Sequence, residues 1–133
     1  MRWWGVWWLL ALLTFASACD DFRPLSEIDP ISCSGSPTLK VYGSVDLEKD
    51  TIEFPNPMLV APAPTAERVE LRDGSAHLLV LAVGTTRVGL ADRELTGTNG
   101  VIRIDCDNPS AGRFEAWFVT GELSGYWRAD SGL

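Results

Sequence analysis

The chain has 133 residues, of which 46% are hydrophobic and 22% charged, and its eighteen acidic and eleven basic side chains give a formal net charge of −7. That length is enough for one ordinary domain with a buried core and too short for two. The acidic balance disfavours nucleic acid and anionic headgroups as partners, because their phosphates require a basic surface.

Residues 1–18 have the three parts of a secretion signal. Arg2 supplies a positive charge, the run from Trp3 to Ala18 is almost wholly apolar, and small residues precede Cys19. The run has sixteen residues, whereas a membrane-spanning helix needs about 20, so a cleaved signal peptide is favoured over a retained anchor. Removal of residues 1–18 leaves ten basic and eighteen acidic residues, a net charge of −8.

Ser17, Ala18 and Cys19 at the end of this signal resemble the lipobox of bacterial lipoproteins, in which small residues precede a cysteine. The resemblance implies that the Cys19 thiol receives a diacylglycerol and that cleavage leaves Cys19 as the first residue. The mature amino terminus would then be diacylated or triacylated and held at a membrane of the bacterial cell envelope, on its periplasmic face or at the cell surface. Ala16 and Ala18 also suit ordinary signal peptidase, which would leave a soluble secreted protein beginning at the same cysteine.

Three cysteines are an odd number for an exported chain, so one of them needs a separate role. With lipid on Cys19, Cys33 and Cys106 remain as a pair in a compartment where disulfides persist. A disulfide that closes this long loop would stabilise the fold by about 4 kcal/mol in the chain-entropy model. Two buried free thiols are the alternative; a metal site is disfavoured because neither cysteine has a second cysteine or histidine at ligand spacing.

The mature chain is predicted to consist of a tether and one domain. Residues 19–37 are acidic at first and then rich in Pro, Ser and Gly without sustained periodicity, which predicts a flexible, lipid-anchored tether that holds the domain clear of a membrane. Residues 38–133 are expected to form a single β domain. A disulfide from Cys33 would attach the last part of the tether to that domain.

The period of two that begins at Leu39 predicts strands. Residues 39–47 alternate apolar and polar side chains, as in a half-buried strand, and the proline-dense residues 55–64 predict a loop or sheet edge in which residues 58–60 pair. Asp73-Gly74 predicts a tight turn between strands at residues 68–72 and 76–83. The second of these strands is apolar on both faces beyond His77, so it should be central in its sheet.

A second hairpin is predicted across Gly97–Gly100, because Asn-Gly is a strong turn signal. Its return strand places Cys106 on the same side as Ile102 and Ile104, so Cys106 is expected to face the core. Two further strands, at residues 114–119 and 122–128, end the chain. Short strands without helical periodicity predict an all-β, antiparallel β-sandwich, immunoglobulin-like or similar, with a small β-barrel as the alternative.

Trp117 and Trp127 are the tryptophans that remain after residues 1–18 are removed. Large rings dominate burial in a small domain, which favours covering the core; a carbohydrate- or peptide-binding surface built on Trp117, Tyr126 and Trp127 is the alternative. His77, the single histidine, is expected to be structural, because no nucleophile motif accompanies it. The carboxylates around residues 46–50 and 105–107 lack calcium-loop spacing, so no metal and no cofactor are expected.

These features predict a lipid-anchored domain of the bacterial cell envelope that acts by binding, as an adaptor, assembly factor or accessory subunit, and that is not an enzyme. Its expected partners are a membrane, through lipid on Cys19, and another envelope protein. One alternative is an enzyme inhibitor similar in size and charge to the small acidic lysozyme inhibitors of bacterial envelopes. Another is a soluble secreted binding domain.

Overall fold

The computed structural model describes residues 21–60, 63–74, 76–90, 92–107 and 109–129. The described chain begins with one turn of 3-10 helix at Leu25–Glu27 and continues as strands. In chain order the strands are β1 (Thr38–Leu47), β2 (Asp50–Ile52), β3 (Met58–Leu59), β4 (Arg68–Asp73), β5 (His77–Ala82), β6 (Thr85–Leu90), β7 (Arg93–Thr96), β8 (Asn99–Asp107), β9 (Ser110–Phe118) and β10 (Gly121–Arg128).

These strands form two five-stranded antiparallel sheets. The first sheet has the order β2-β1-β10-β9-β8 and the second the order β3-β4-β5-β6-β7. The sheets are not closed into a barrel, so the predicted all-β sandwich is confirmed. The ten described strands change sheet only between β2 and β3 and between β7 and β8, whereas an immunoglobulin domain changes sheet repeatedly.

The first predicted hairpin is present as β4 and β5. Asp73 lies opposite His77 across the turn, and Gly74 adopts a φ of 64°, a left-handed conformation that favours glycine. As its apolar sequence predicts, β5 is the central strand of the second sheet. The stretch between the prolines also pairs, because Met58 and Leu59 form β3 at the edge of this sheet.

The second predicted hairpin is wrong, since β7 and β8 belong to different sheets. Gly97 and Thr98 carry the chain from one sheet to the other, and Asn99 and Gly100 lie inside β8 rather than in a turn. A Cβ at Gly100 would overlap the side chain of Leu81 in the second sheet. Glycine is needed here for close packing between sheets, which a local turn signal does not reveal.

One apolar core fills the space between the sheets. Its members come from both sheets, and the largest fully buried side chains are Trp127 and Phe114. The indole Nε1 of Trp127 donates to Ser110 Oγ over 3.1 Å, and that hydroxyl donates to the Pro64 carbonyl over 2.8 Å. The buried polar groups of Trp127 and Ser110 are thus hydrogen-bonded, as burial requires.

Candidate functional site

Residues 21–37 lie across the outer face of the first sheet, and we call this segment the strap. Its path runs diagonally from β10 over β9 to β8, and its 3-10 turn packs on β9. Four hydrogen bonds between strap and sheet define the path: Ser124 Oγ to Arg23 O (2.6 Å), Leu25 N to Glu115 Oε2 (2.7 Å), Arg113 Nη1 to Ile28 O (3.1 Å) and Ile31 N to Asp105 Oδ2 (3.1 Å).

Charged side chains on the outer face of the sheet lie buried or half-buried beneath the strap. Glu115 is only 7% exposed, although its position on β9 points away from the core. Asp105 accepts two hydrogen bonds from the Arg113 guanidinium, over 2.9 and 3.0 Å, besides the one from Ile31 N. Since a buried charge must be paired, these contacts tie the position of the strap to the charges of the sheet.

The predicted disulfide between Cys33 and Cys106 is present, with Cα atoms 5.5 Å apart. Cys106 does not face the core as expected. An irregularity in β8 between Ile104 and Cys106 shifts the register, so that Cys106 lies opposite Ala111 on the outer face. The bulge turns the sulfur toward the strap, and the disulfide fixes the end of the strap to β8.

Arg128 at the end of β10 holds the return of the strap. Its guanidinium donates to the Ser32 carbonyl over 3.1 Å and to the Ser36 carbonyl over 2.9 Å. The described part of the tether, from residue 21 to residue 37, is therefore attached along its length rather than extended away from the sheets. Composition alone predicted a flexible tether. It could not reveal the residues that hold the strap, because these residues lie far away in sequence.

A cluster of two tyrosines and two cations lies on the outer face at the start of the strap and includes one strap residue, Arg23. We call Arg23, Lys40, Tyr42 and Tyr126 the tyrosine patch. The ring centroids of Tyr42 and Tyr126 are 6.3 Å apart. Arg23 Cζ lies 5.0 Å and Lys40 Nζ 5.7 Å from the Tyr42 ring centre, within the range of cation–π attraction. Burial, followed by the neighbouring phenol of Tyr126, raises the pKa of Tyr42 above its usual value.

The structure does not bring Trp117, Tyr126 and Trp127 together as one binding surface. Trp127 is fully buried in the core, which leaves it no surface for a ligand. Trp117 and Tyr126 share the outer face but are not adjacent. Trp117 of β9 lies opposite Glu122, whereas Tyr126 of β10 lies opposite Arg113, four residues before Trp117 on β9. The strap crosses between them at Glu115.

The outer face of the second sheet carries a different surface, which we call the apolar stripe: Leu78, Val80 and Ala82 of β5. Val80 is only 3% exposed although it lies outside the core cluster. It lies opposite Glu70 on β4 and Arg87 on β6, and long charged side chains of this kind can lay their apolar stems along such a surface. Within the described part of the chain, charged side chains of β4 and β6 therefore flank this apolar surface.

His77 and four of the acidic residues at positions 46–50 and 105–107 have protein partners. The Nδ1 of His77 lies 3.0 Å from the Glu53 carbonyl, so this nitrogen must carry the hydrogen. Glu48 and Asp50 both form ion pairs with Arg93. The hydrogen bond to Glu48 raises the pKa of Arg93 above its usual value. Within the described ranges, no group of three or more His, Cys, Asp or Glu side chains is arranged to hold a metal ion.

An open cavity of about 240 Å³ lies beside the start of the strap, near the β9–β10 turn. Three carboxylate residues, Asp21, Glu53 and Glu122, contribute to its lining together with Phe22 and Thr120. Val119 in the adjoining turn is 82% exposed. The cavity is therefore acidic, and sequence spacing could not reveal it because its carboxylates come from three separate parts of the chain.

Cys19 and residues 1–18 lie outside the described residues, so the predicted signal and lipidation site have no structural description. None of the helical structure in the described ranges is long and apolar enough to cross a membrane. The described chain is an all-β sandwich with a strapped amino-terminal segment. Comparisons with known proteins found no family model, no curated protein and no solved structure that matches it.

Proposed function

We propose that this protein is a lipid-anchored domain of the bacterial cell envelope that binds another envelope protein and carries out no catalysis itself. The observation that carries the proposal is the difference between its two outer faces. The strap covers much of the first sheet, whereas among the described residues the apolar stripe of the second sheet is flanked by charged side chains of the neighbouring strands. One face thus belongs to the anchor and the other is available to a partner.

The cysteines support the anchored form. The bond between Cys33 and Cys106 accounts for two of the three cysteines and suits an oxidising compartment. Cys19 is then the remaining thiol, at the position where the lipobox resemblance places the lipid. Anchoring would raise the local concentration of the domain at partners in the same membrane layer.

The apolar stripe has the composition of a protein-binding surface. Arginine is enriched at protein interfaces, and Arg68, Arg72 and Arg87 surround the stripe. The Arg68 and Arg87 side chains remain 48% and 40% exposed in their ion pairs, and exposed pairs of this kind contribute little stability. A partner could therefore displace them and bury Leu78, Val80 and Ala82 at small energetic cost.

Photocrosslinking in intact cells tests the binding face. A photoreactive amino acid at Thr85, an exposed position on the outer face of the second sheet, should give a discrete adduct with one envelope protein. The same group at Arg103, on the outer face of the first sheet, is the matched control. Adducts at Arg103 alone, or none at either position, would contradict the proposal, and Arg87→Glu should weaken the Thr85 adduct.

Mass spectrometry of the mature protein tests the anchor. The expected result is a diacylated or triacylated amino terminus at Cys19 and no free thiol. A retained leader, or an unmodified cysteine at the amino terminus, would contradict lipid anchoring. The second outcome would favour the soluble secreted binding domain.

The acidic cavity favours one alternative function, inhibition of a basic envelope-directed enzyme such as a lysozyme. Asp21, Glu53 and Glu122 could accept basic side chains of such an enzyme, and the net charge of the mature chain would speed the encounter. Stoichiometric lysozyme inhibition by the purified protein, weakened by Glu122→Gln, would replace the adaptor proposal. The matched control for the same charge change is Glu67→Gln, an exposed residue of the β3–β4 loop.

A further inference from the structure

We propose that the strap-bearing face of the first sheet lies against the membrane, where the tyrosine patch contacts zwitterionic phospholipid headgroups. The inference rests on the proposed function, because it requires lipid on Cys19. It goes further by assigning an orientation and a lipid-contacting surface to the anchored domain.

The connection between the lipid-bearing residue and the folded domain is short. Asp20 is the single residue between Cys19 and Asp21, and two residues span at most about 7 Å. Phe22 lines the cavity beside the sheet, and the carbonyl of Arg23 accepts a hydrogen bond from Ser124 over 2.6 Å. The lipid-bearing residue is thus joined to an attached part of the domain, with no spacer long enough to hold the domain clear of the bilayer.

The chemistry of the patch carries the second step. Tyrosine is enriched at the level of membrane headgroups, where one end of the ring is wet and the other apolar, and both tyrosines here are partly exposed. Arg23 is exposed and lies four residues beyond Cys19. Its guanidinium can donate to headgroup phosphates without losing its position near the Tyr42 ring.

The charge of the whole face selects the headgroup. Beside the cations of the patch, the strap exposes the carboxylates of Glu27 and Asp29. A surface with both signs suits a headgroup that carries both a phosphate and an ammonium group. An anionic headgroup offers no positive group to these carboxylates, and the net negative charge of the protein opposes it.

The competing orientation places the β9–β10 turn toward the membrane, with exposed Val119 at the contact. The turn lies beside the cavity that Asp21, Glu53 and Glu122 line. The short connection to Cys19 keeps Asp21 near the membrane in either orientation, but the end-on orientation would bring Glu53 and Glu122 to the headgroups as well. The described lining of that cavity includes no basic residue. The side-on orientation is therefore favoured over the end-on one.

Fluorescence quenching on vesicles tests the orientation. With Cys19 acylated and Cys33 bonded to Cys106, an introduced cysteine is the sole thiol available to a fluorescent label. Ser26→Cys labels the strap, Thr85→Cys the opposite face and Val119→Cys the turn. In the full lipidated chain on phosphatidylcholine vesicles, a nitroxide on the lipid headgroup should quench the label at Ser26 several-fold more than the label at Thr85, and more than the label at Val119.

Charge reversal tests the patch itself. Arg23→Glu with Lys40→Glu should reduce quenching at Ser26 toward the level at Thr85, while the same charge change on the second sheet, Arg68→Glu with Arg72→Glu, should leave it unchanged. Equal quenching at all three labels, or greatest quenching at Val119, overturns the orientation. Unchanged quenching at Ser26 in the patch variant overturns the role of the patch. Mass spectrometry of the same sample separates these failures from failure of the anchor, because only the latter shows an unacylated Cys19.

Discussion

Gly112 on β9 lies beneath the ring of Trp127, the largest side chain in the core. A Cβ at Gly112 would overlap the Arg103 carbonyl oxygen and lie 2.7 Å from the Trp127 ring. Overpacking of this kind typically costs about 1–3 kcal/mol. We therefore expect Gly112→Ala to lower the free energy of unfolding by about 2 kcal/mol or more, measured by urea denaturation.

The control for this substitution is Gly84→Ala in the β5–β6 turn. Gly84 has a φ of 78° and open space around its Cβ position, so alanine there should cost only the left-handed backbone penalty, about 1 kcal/mol. Equal losses for the two variants would contradict a packing cost at Gly112 beyond that of an ordinary backbone penalty.

Tyr42 is expected to keep its proton to higher pH than an ordinary tyrosine. Burial and the Tyr126 phenol raise the folded-state pKa of Tyr42 above 10.0. Because the unfolded chain loses this proton first, the contribution of Tyr42 to stability is full below about pH 10 and falls as the pH rises through the folded-state pKa.

Absorbance of tyrosinate measures this pKa directly, since Tyr42 and Tyr126 are the only tyrosines in the chain. Alkaline titration of the folded protein should show a late component that Tyr42→Phe removes. In Tyr126→Phe the Tyr42 component should remain but move to lower pH, because one cause of its shift is gone. A single component near pH 10 in the native protein would contradict the burial of Tyr42.

The strap is an element whose structure depends on the disulfide as well as on hydrogen bonds. Replacing both Cys33 and Cys106 with serine should lower the free energy of unfolding by about 4 kcal/mol in the chain-entropy model. The amides of Leu25 and Ile31, which donate to Glu115 and Asp105, should also exchange with solvent faster. Hydrogen exchange followed by mass spectrometry measures both the strap and the sheets.

Ser34→Ala is the control for this variant, because Ser34 is an exposed neighbour of Cys33 and surface changes usually remain within about 0.5 kcal/mol. If the amides of the strap stay as protected as those of β9 after loss of the disulfide, the hydrogen bonds alone hold the strap. The disulfide would then contribute stability without fixing the position of this element.

Most strands could be predicted from alternation and turn residues, because both signals are local. The β4–β5 hairpin and the short pairing of Met58 and Leu59 follow from them. The path of the strap, the sheet change at Gly97 and the bulge before Cys106 depend on partners far away in sequence. Counting cysteines was enough to pair Cys33 with Cys106. The face on which the disulfide lies depends on these distant contacts, so it could not be predicted from the sequence.

The two outer faces of the sandwich differ in the roles that we propose for them. The strap, the disulfide and the tyrosine patch belong to the first sheet, and the apolar stripe belongs to the second. If both proposals hold, the sandwich places its anchor and its partner on opposite sides of one core. The two outer faces then keep a fixed position relative to one another only if neither sheet unfolds without the other.

The two sheets are expected to unfold together, because each sheet buries its inner face against the other in one shared core. Leu81 of the second sheet is 1% exposed and packs against Gly100 of the first. Leu81→Ala should lower the free energy of unfolding by about 2–5 kcal/mol. Tryptophan fluorescence reports on the first sheet, through Trp117 and Trp127, while far-ultraviolet circular dichroism reports on both, and the two denaturation curves should shift together.

Val83→Ala is the matched control, since Val83 is two residues from Leu81 but 74% exposed, and it should change stability by no more than about 0.5 kcal/mol. A Leu81→Ala variant whose circular dichroism falls at lower denaturant than its tryptophan fluorescence would show the second sheet unfolding alone. Such a sheet could not hold a partner at a fixed distance from the membrane, so the rigid coupling of the two faces would fail with it.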